Sequence, residues 1–277
     1  MRTVTLPSGE LVPAFGLGTW QIGDRAALRA EEIATIRLAV DLGAKLIDTA
    51  EMYGEGRSET LVGEAIQGRR DEVFLVSKIY PHNASRDGTV AACERSLRRL
   101  GTDRIDLYLL HWRGQVPLAE TIDAFLALRR AGKIRHFGVS NLDLADMQEL
   151  WALPGADAVA TDQLLYNLMR RGIERDLLPW LRERRIPVMA YSPIERAQLV
   201  RNKKLLQFAR RHAMTPAQAA LAWLLAHDDI IVIPKTGNRE RLKENLGALE
   251  HALTAAQVAE IEKLFPAPAR ARALEML

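Results

Sequence analysis

Four side chains in this sequence have types that suit proton transfer at a carbonyl oxygen: Asp48, Tyr53, Lys78 and His111. Three of them close short apolar runs, KLID, VFLVSK and DLYLLH, where a strand buried on both faces would finish in apolar residues or turn formers. Tyr53 follows in DTAEMYG, a small and polar stretch that reads as a loop opening onto solvent. A phenol with a pKa of about 10 is a poor donor near neutrality, but a neighbouring ammonium stabilises the phenolate and lowers that value. Lys78 supplies the charge, Asp48 is placed to pair with it and offset its desolvation, and His111 can orient a carbonyl by donating a hydrogen bond. Taken singly, each has a plainer reading. Asp48 could cap a helix, Tyr53 could be a surface aromatic, Lys78 a snorkelling lysine and His111 a satisfied core histidine. Their joint placement at strand ends makes one coherent site.

Such strand ends need a scaffold. Along the chain, short apolar or β-branched runs alternate with amphipathic segments, the pattern of parallel strands joined by crossover helices. Strands are expected at 15–20, 45–48, 73–78, 106–111, 134–140, 158–163, 187–191 and 230–234. Helices are expected at 30–42, 58–67, 88–100, 118–131, 144–150, 173–184, 202–212, 216–226 and 240–249. The expectation is an α/β fold, a (β/α)8 TIM barrel in one domain over 1–277, since such a barrel typically takes about 250 residues. Its active site belongs at the carboxyl ends of the strands. The segment from Thr3 to Leu11 alternates around Pro7-Ser8-Gly9 and predicts an N-terminal β-hairpin closing one barrel end. Gly43, Gly68, Gly101 and Gly132 each follow a predicted helix as its terminator, Ser58 reads as an N-cap, and Thr215-Pro216 as a cap with proline in the first turn. The stretch 266–277, PAPARARALEML, is expected to be irregular.

Composition narrows the function classes. At 48% hydrophobic and 26% charged the chain can bury a large core, and no apolar run reaches the roughly 20 residues a membrane span needs. A net charge of +3, with arginines spread over many helix faces, does not make a nucleic-acid stripe. The single cysteine, Cys93, reads as a packed helix residue, and with no apolar leader at the start a reducing cytoplasm is expected.

The chain resembles the aldo-keto reductases through DTAEMYGEGRSE around Asp48 and Tyr53, VSK at Lys78, LLHW at His111, GVSN at Ser140-Asn141, and IPKTGNRERLKEN. The resemblance spans about Phe15 to Leu249. It implies reduction of an aldehyde or ketone by hydride from NADPH, with Tyr53 as general acid, Lys78 and Asp48 tuning it, His111 positioning the carbonyl, and no metal. It also implies cofactor roles: Ser140, Asn141 and Gln163 at the nicotinamide carboxamide, Tyr191 stacked on the ring, and Ser192 with Pro193 near phosphate. Lys235, Thr236 and Arg241 then fall at the adenosine 2′-phosphate, Glu244 and Asn245 beside the adenine, and Ile233, Pro234 and Gly237 among the cofactor-binding residues. Gly18, Thr19 and Trp20 come where cofactor and pocket wall meet, with Tyr53 and Trp112 on the substrate side. Lysine and arginine ahead of a helix suit a dianionic phosphate on general grounds.

Two departures from that family stand out. After Tyr191-Ser192-Pro193 the sequence runs IERAQLV into the next helix, so the long loop that often folds over the dinucleotide is reduced, and no latch is expected. The C-terminal segment is short and is expected to leave the substrate pocket poorly defined. Two other readings of the same residues are a Schiff-base barrel aldolase using Lys78 and an NADPH-binding redox-sensing partner protein with little turnover.

Overall fold

The computed structural model describes residues 2–277. Two short strands, β1 (Thr3–Thr5) and β2 (Leu11–Pro13), pair antiparallel as the expected hairpin, with Gly9 at a φ of +86° in its turn. Val4, Leu6 and Val12 turn inward, and Glu10 pairs with Arg135 and His136 near the start of a barrel strand. The hairpin therefore lies at the barrel end opposite the strand termini that carry chemistry.

The barrel strands follow: β3 (Gly16–Gly18), β4 (Leu46–Asp48), β5 (Phe74–Ile79), β6 (Ile105–Leu110), β7 (Ile134–Ser140), β8 (Val159–Leu165), β9 (Val188–Tyr191) and β10 (Ile230–Val232). All neighbours are parallel and sequential, and single bridges from Phe15 to Val232 and from Gly18 to Lys235 complete the circle. The apolar runs are buried because both faces are covered, by helices outside and by opposing strands inside. Around the sheet run α1 (Arg29–Asp41), α2 (Arg57–Ala65), α3 (Arg86–Leu100), α4 (Leu118–Arg130), α5 (Leu144–Trp151), α6 (Leu177–Glu183), α7 (Lys203–Arg211), α8 (Pro216–Leu225) and α9 (Arg239–Leu246). Each of these matches an expected helix, and the (β/α)8 barrel is the fold. Among the described residues no helix is long and apolar enough to cross a membrane.

Three local expectations change. The segment expected as one helix over 173–184 breaks at Asp176 (φ −144°), whose carboxylate accepts from the Leu177 amide and restarts the chain as α6. Ser58 is not a cap: Gly56 precedes α2, and the Ser58 hydroxyl is buried against Thr19. A further helix, α10 (Ala255–Leu264), follows a capping box in which Thr254 and Gln257 bond each other's backbone amides. The four glycines expected to end helices all have positive φ, from 62° to 91°, and Thr215 caps α8 through its own box with Gln218.

Gly63 shows how tightly the helical ring is drawn, since a Cβ there would sit 2.5 Å from the Leu100 carbonyl oxygen at the end of α3. Helix propensity alone favours alanine by about 1 kcal/mol, but overpacking against backbone costs about 1 to 3 kcal/mol. Gly63→Ala should thus lower stability, measured as a decreased midpoint in urea unfolding; an increased midpoint would show that α2 and α3 can separate freely.

Candidate active site

Asp48 ends β4 opposite Val76, so Lys78, two residues further along β5, emerges beside it on the same face of the sheet. The Lys78 side chain is fully buried, and its Nζ donates to Asp48 Oδ1 and Oδ2 at 2.8 and 2.9 Å, to the Thr49 carbonyl at 2.8 Å, and to Tyr53 Oη at 3.2 Å. These contacts use all three N–H groups of an ammonium. Because the Tyr53 oxygen accepts from Lys78, the phenol's own hydrogen is free to point into the cavity. Tyr53 begins a tight turn in which Gly54 and Glu55 take positive φ. That turn is pinned by Glu51, whose buried carboxylate accepts from the Tyr80 amide at 2.8 Å and Asn83 Nδ2 at 2.9 Å.

His111 follows β6 and meets Tyr53 edge-on, with ring centroids 5.8 Å apart. Its Nδ1 is buried without a partner, which leaves Nε2 as the nitrogen that reaches the cavity. Burial and the nearby Lys78 charge hold this imidazole well below its ordinary pKa of 6.5, so it is neutral. Tyr53 moves opposite to the sequence expectation. Burial, with the Asp48 charge adding to it, raises the phenol well above 10. Desolvation of the phenolate is the larger cause, and the Asp48 carboxylate beside it adds to the rise. Lys78 itself is lowered from 10.5 by desolvation, opposed by Asp48.

A cavity of about 270 Å³ opens over these groups, lined by Trp20, Met52, Tyr53, His111, Trp112, Ser140, Asn141, Gln163, Tyr191, Arg196, Met276 and Leu277. Beside it runs a cleft of about 700 Å³ that shares Trp20, Tyr53, Tyr191 and Arg196. Of the residues matched to a cofactor, Gly18, Trp20, Tyr191, Ser192, Pro193, Ile233, Lys235, Thr236, Arg241, Glu244 and Asn245 line the cleft. Ser140, Asn141 and Gln163 line the cavity instead and are mutually engaged. The Ser140 hydroxyl donates to the Gln163 carbonyl, Asn141 Nδ2 donates to the His111 carbonyl, and the Tyr191 hydroxyl donates to Asn141 Oδ1 at 2.9 Å. Gln163 Nε2 also donates to Asp48 Oδ1 at 2.8 Å, a link that joins these three residues to the buried Lys78–Asp48 pair. Thr19, Pro234 and Gly237 lie behind the cleft wall. Thr19 bonds the Asp48 carbonyl, the Pro234 carbonyl accepts from Gly18, and Gly237 packs on Glu32.

The cleft has the features a dinucleotide phosphate requires. Lys235 and Arg241 face it with no carboxylate in ion-pairing range among the described residues, and the Lys235 ammonium is lowered from 10.5 by burial, opposed by the Glu32 charge. Two cations without a direct ion pair, one ahead of α9 and one in its first turn, which Asn238 caps, suit a dianion.

Sequence reasoning missed several lining residues. The stretch 266–277 has no regular structure, yet it is tied down. Arg171 donates to the Phe265 carbonyl at 2.7 Å, Arg175 to the Pro268 carbonyl, and Arg170 to Glu275 at 2.6 Å. This strap brings Met276 and Leu277 to the cavity wall, so the short C-terminal segment defines the pocket after all. The short segment after β9 also does more than expected. It lacks a folded-over loop, but the Arg196 guanidinium spans to the Trp20 ring, 4.8 Å from its centroid.

Comparison with known proteins agrees with this geometry. The model of the aldo/keto reductase family matches residues 14–265. Methylglyoxal reductase YeaE of Escherichia coli is 49% identical over 98% of this chain and 97% of its own length. Glyoxal reductase of Bacillus subtilis is 32% identical over 95% and 92%. An aldo/keto reductase from Klebsiella pneumoniae, crystallised in complex with NADP and acetate, superposes with a TM-score of 0.96 at 44% identity, covering 100% of both chains. With a match of that extent and a barrel that carries the tetrad at its strand ends, the chain belongs to the aldo/keto reductase family.

Proposed function

We propose that this protein reduces small aldehydes and ketones, 2-oxoaldehydes such as methylglyoxal among them, with NADPH as hydride donor. The observation that carries the reading is Lys78 Nζ held between Asp48 and the Tyr53 oxygen at the floor of a cavity that adjoins the cleft. Small dicarbonyls fit a cavity of about 270 Å³, and relatives named for methylglyoxal and glyoxal reduction support that substrate class. NADP and NADPH in the Klebsiella pneumoniae structures support the cofactor. We place the reaction in the cytoplasm, in keeping with the unpaired thiol of Cys93, which burial pushes up to about 12.

In this reading Lys235, Thr236 and Arg241 hold the 2′-phosphate, Glu244 and Asn245 border the adenine, and Tyr191 backs the nicotinamide. When bound, the dinucleotide supplies hydride to the carbonyl carbon. His111 Nε2 orients the carbonyl oxygen with a neutral N–H donor. Tyr53 gives that oxygen its proton. As the phenol loses the proton, the Lys78 hydrogen bond strengthens on the developing phenolate, which is where the ammonium acts even though the resting phenol is raised. Lys78 has no lone pair in this coordination, and this weighs against a Schiff-base role.

Tyr53→Phe should lower carbonyl reduction by about 10² to 10⁴-fold while NADPH affinity, measured by fluorescence titration, stays close to the unaltered protein. Retained turnover would remove Tyr53 from the mechanism. A barely detectable rate in the unaltered protein, alongside firm NADPH binding, would favour the redox-sensing reading.

The pH dependence has a definite sign. Reduction uses protonated Tyr53 and neutral His111, one held above its ordinary value and the other below, so the rate should be flat across neutrality with no break near the usual imidazole value of about 6.5. Alcohol oxidation needs the phenolate and should climb with pH without levelling below about 10. Initial rates in both directions over a pH series check this, and a reduction rate that falls through neutrality contradicts it.

Loss of Arg241 removes a charge-assisted contact worth roughly 1.5 to 3 kcal/mol, or about one to two decades in affinity. Arg241→Ala should weaken NADPH binding by that factor and leave NADH binding nearly as it was. The same NADPH to NADH ratio in both proteins would locate the phosphate elsewhere.

A further inference from the structure

Arg196 lines the cleft with two other arginines, Arg201 and Arg241, that likewise hold no carboxylate, but it is the one of the three that also lines the cavity. Among the described residues it has no carboxylate in ion-pairing range, whereas Arg113, Arg170 and Arg171 at the same end of the barrel each hold at least one. It lines both the cavity above Tyr53 and the adjoining cleft. Its guanidinium lies over the Trp20 ring, an arrangement that orients the planar cation and leaves its N–H edges available to a planar anion.

The backbone puts it there under strain. Glu195, Arg196 and Ala197 take φ values of 49°, 48° and 69° in succession, a left-handed run that residues with side chains adopt singly and at a cost. Such a run persists only where surroundings hold it. The Glu195 carboxylate is fully buried and accepts from Asn167 Nδ2 at 2.7 Å and Arg170 Nε at 2.9 Å, while Asn167 also donates to the Ser192 carbonyl at 3.0 Å. Held on both sides, the turn aims Arg196 at Trp20.

Among the side chains that line that cavity Arg196 is the one cation. Lys78 is cancelled by Asp48, His111 is neutral, and no carboxylate side chain is among the lining residues. We propose that Arg196 is a specificity-determining residue that receives a carboxylate on the substrate, so that the preferred carbonyl compounds are oxo acids and semialdehyde acids. This rests on the reductase reading above. The carboxylate takes no part in the chemistry: the carbonyl carbon gains hydride from NADPH, its oxygen gains the Tyr53 proton, solvent returns a proton to Tyr53, and NADP+ is the oxidised product.

The test compares succinic semialdehyde with butanal, and 4-carboxybenzaldehyde with benzaldehyde, at saturating NADPH, in the unaltered protein, Arg196→Met and Arg196→Lys. The charged-to-neutral ratio of kcat/KM should fall about 10- to 100-fold in Arg196→Met. Most of the change should be in KM, with part of the ratio restored in Arg196→Lys. In the unaltered protein the ratio should shrink as KCl is raised, because screening weakens a charge contact at the rim. An unchanged ratio, with or without weaker NADPH binding, would overturn the proposal and leave Arg196 to the dinucleotide or the surface. Absence of turnover with every aldehyde would count against the reductase reading itself, while normal butanal turnover without charge discrimination would count only against Arg196. Should Arg196→Met fold poorly, the unaltered protein decides alone: competitive inhibition by benzoate well ahead of benzamide supports the proposal, and equal inhibition by the two overturns it.

Discussion

The buried pair of Lys78 and Asp48 is the constraint around which the catalytic end of the barrel is arranged. An ammonium with no exposed surface is tolerable only if every proton it carries finds an acceptor, and here Asp48, Thr49 and Tyr53 together provide them. Asp48 is satisfied in turn by Gln163, from the far side of the circle. Strands β4, β5 and β8 must therefore sit in one register for the charges to be compensated at all. The close approach of β3 to the start of the cleft, where a Cβ on Gly18 would lie 2.9 Å from the Ile233 carbonyl, belongs to the same fit. Breaking such a pair by removing one partner leaves a buried charge uncompensated, typically at about 3 to 5 kcal/mol.

The strands and the tetrad were legible because a polar residue at the end of an apolar run is anomalous in a strand covered on both faces, and three such anomalies recur at one barrel end. The helices were legible from spacing, and their ends from glycines that do adopt positive φ. What escaped depended on distance in sequence. The raised phenol of Tyr53 follows from its complete burial beside the Asp48 charge, a geometric detail that residue types do not carry. The link from Gln163 to Asp48 joins residues far apart in the chain. Helix α10 buries only Ile261, so its apolar periodicity is faint, although the threonine and glutamine of its capping box were there to be read.

The strap at 266–277 and the turn at Glu195 share a cause. PAPARARALEML has no periodicity, and IERAQLV has no glycine to announce positive φ. Both are shaped from outside by the segment that follows β8, in which Arg170 holds Glu195 and Glu275 at once, Arg175 takes the Pro268 carbonyl of the strap, and Arg171 takes that of Phe265 just ahead of it. Local sequence does not reveal such ordering, because the interactions that impose it lie almost entirely in another part of the chain.

The cancellation of charge inside the tetrad also governs what the cavity presents to an incoming molecule. Since Lys78 and Asp48 neutralise each other and His111 carries no charge, the electrostatic character of the cavity is set by its rim, by the turn after β9 and the strap beside it. The turn and the strap supply none of the partners of the buried pair, which are Thr49, Tyr53 and Gln163, so a substitution at the rim would change which molecules are admitted and leave the compensated charges beneath undisturbed.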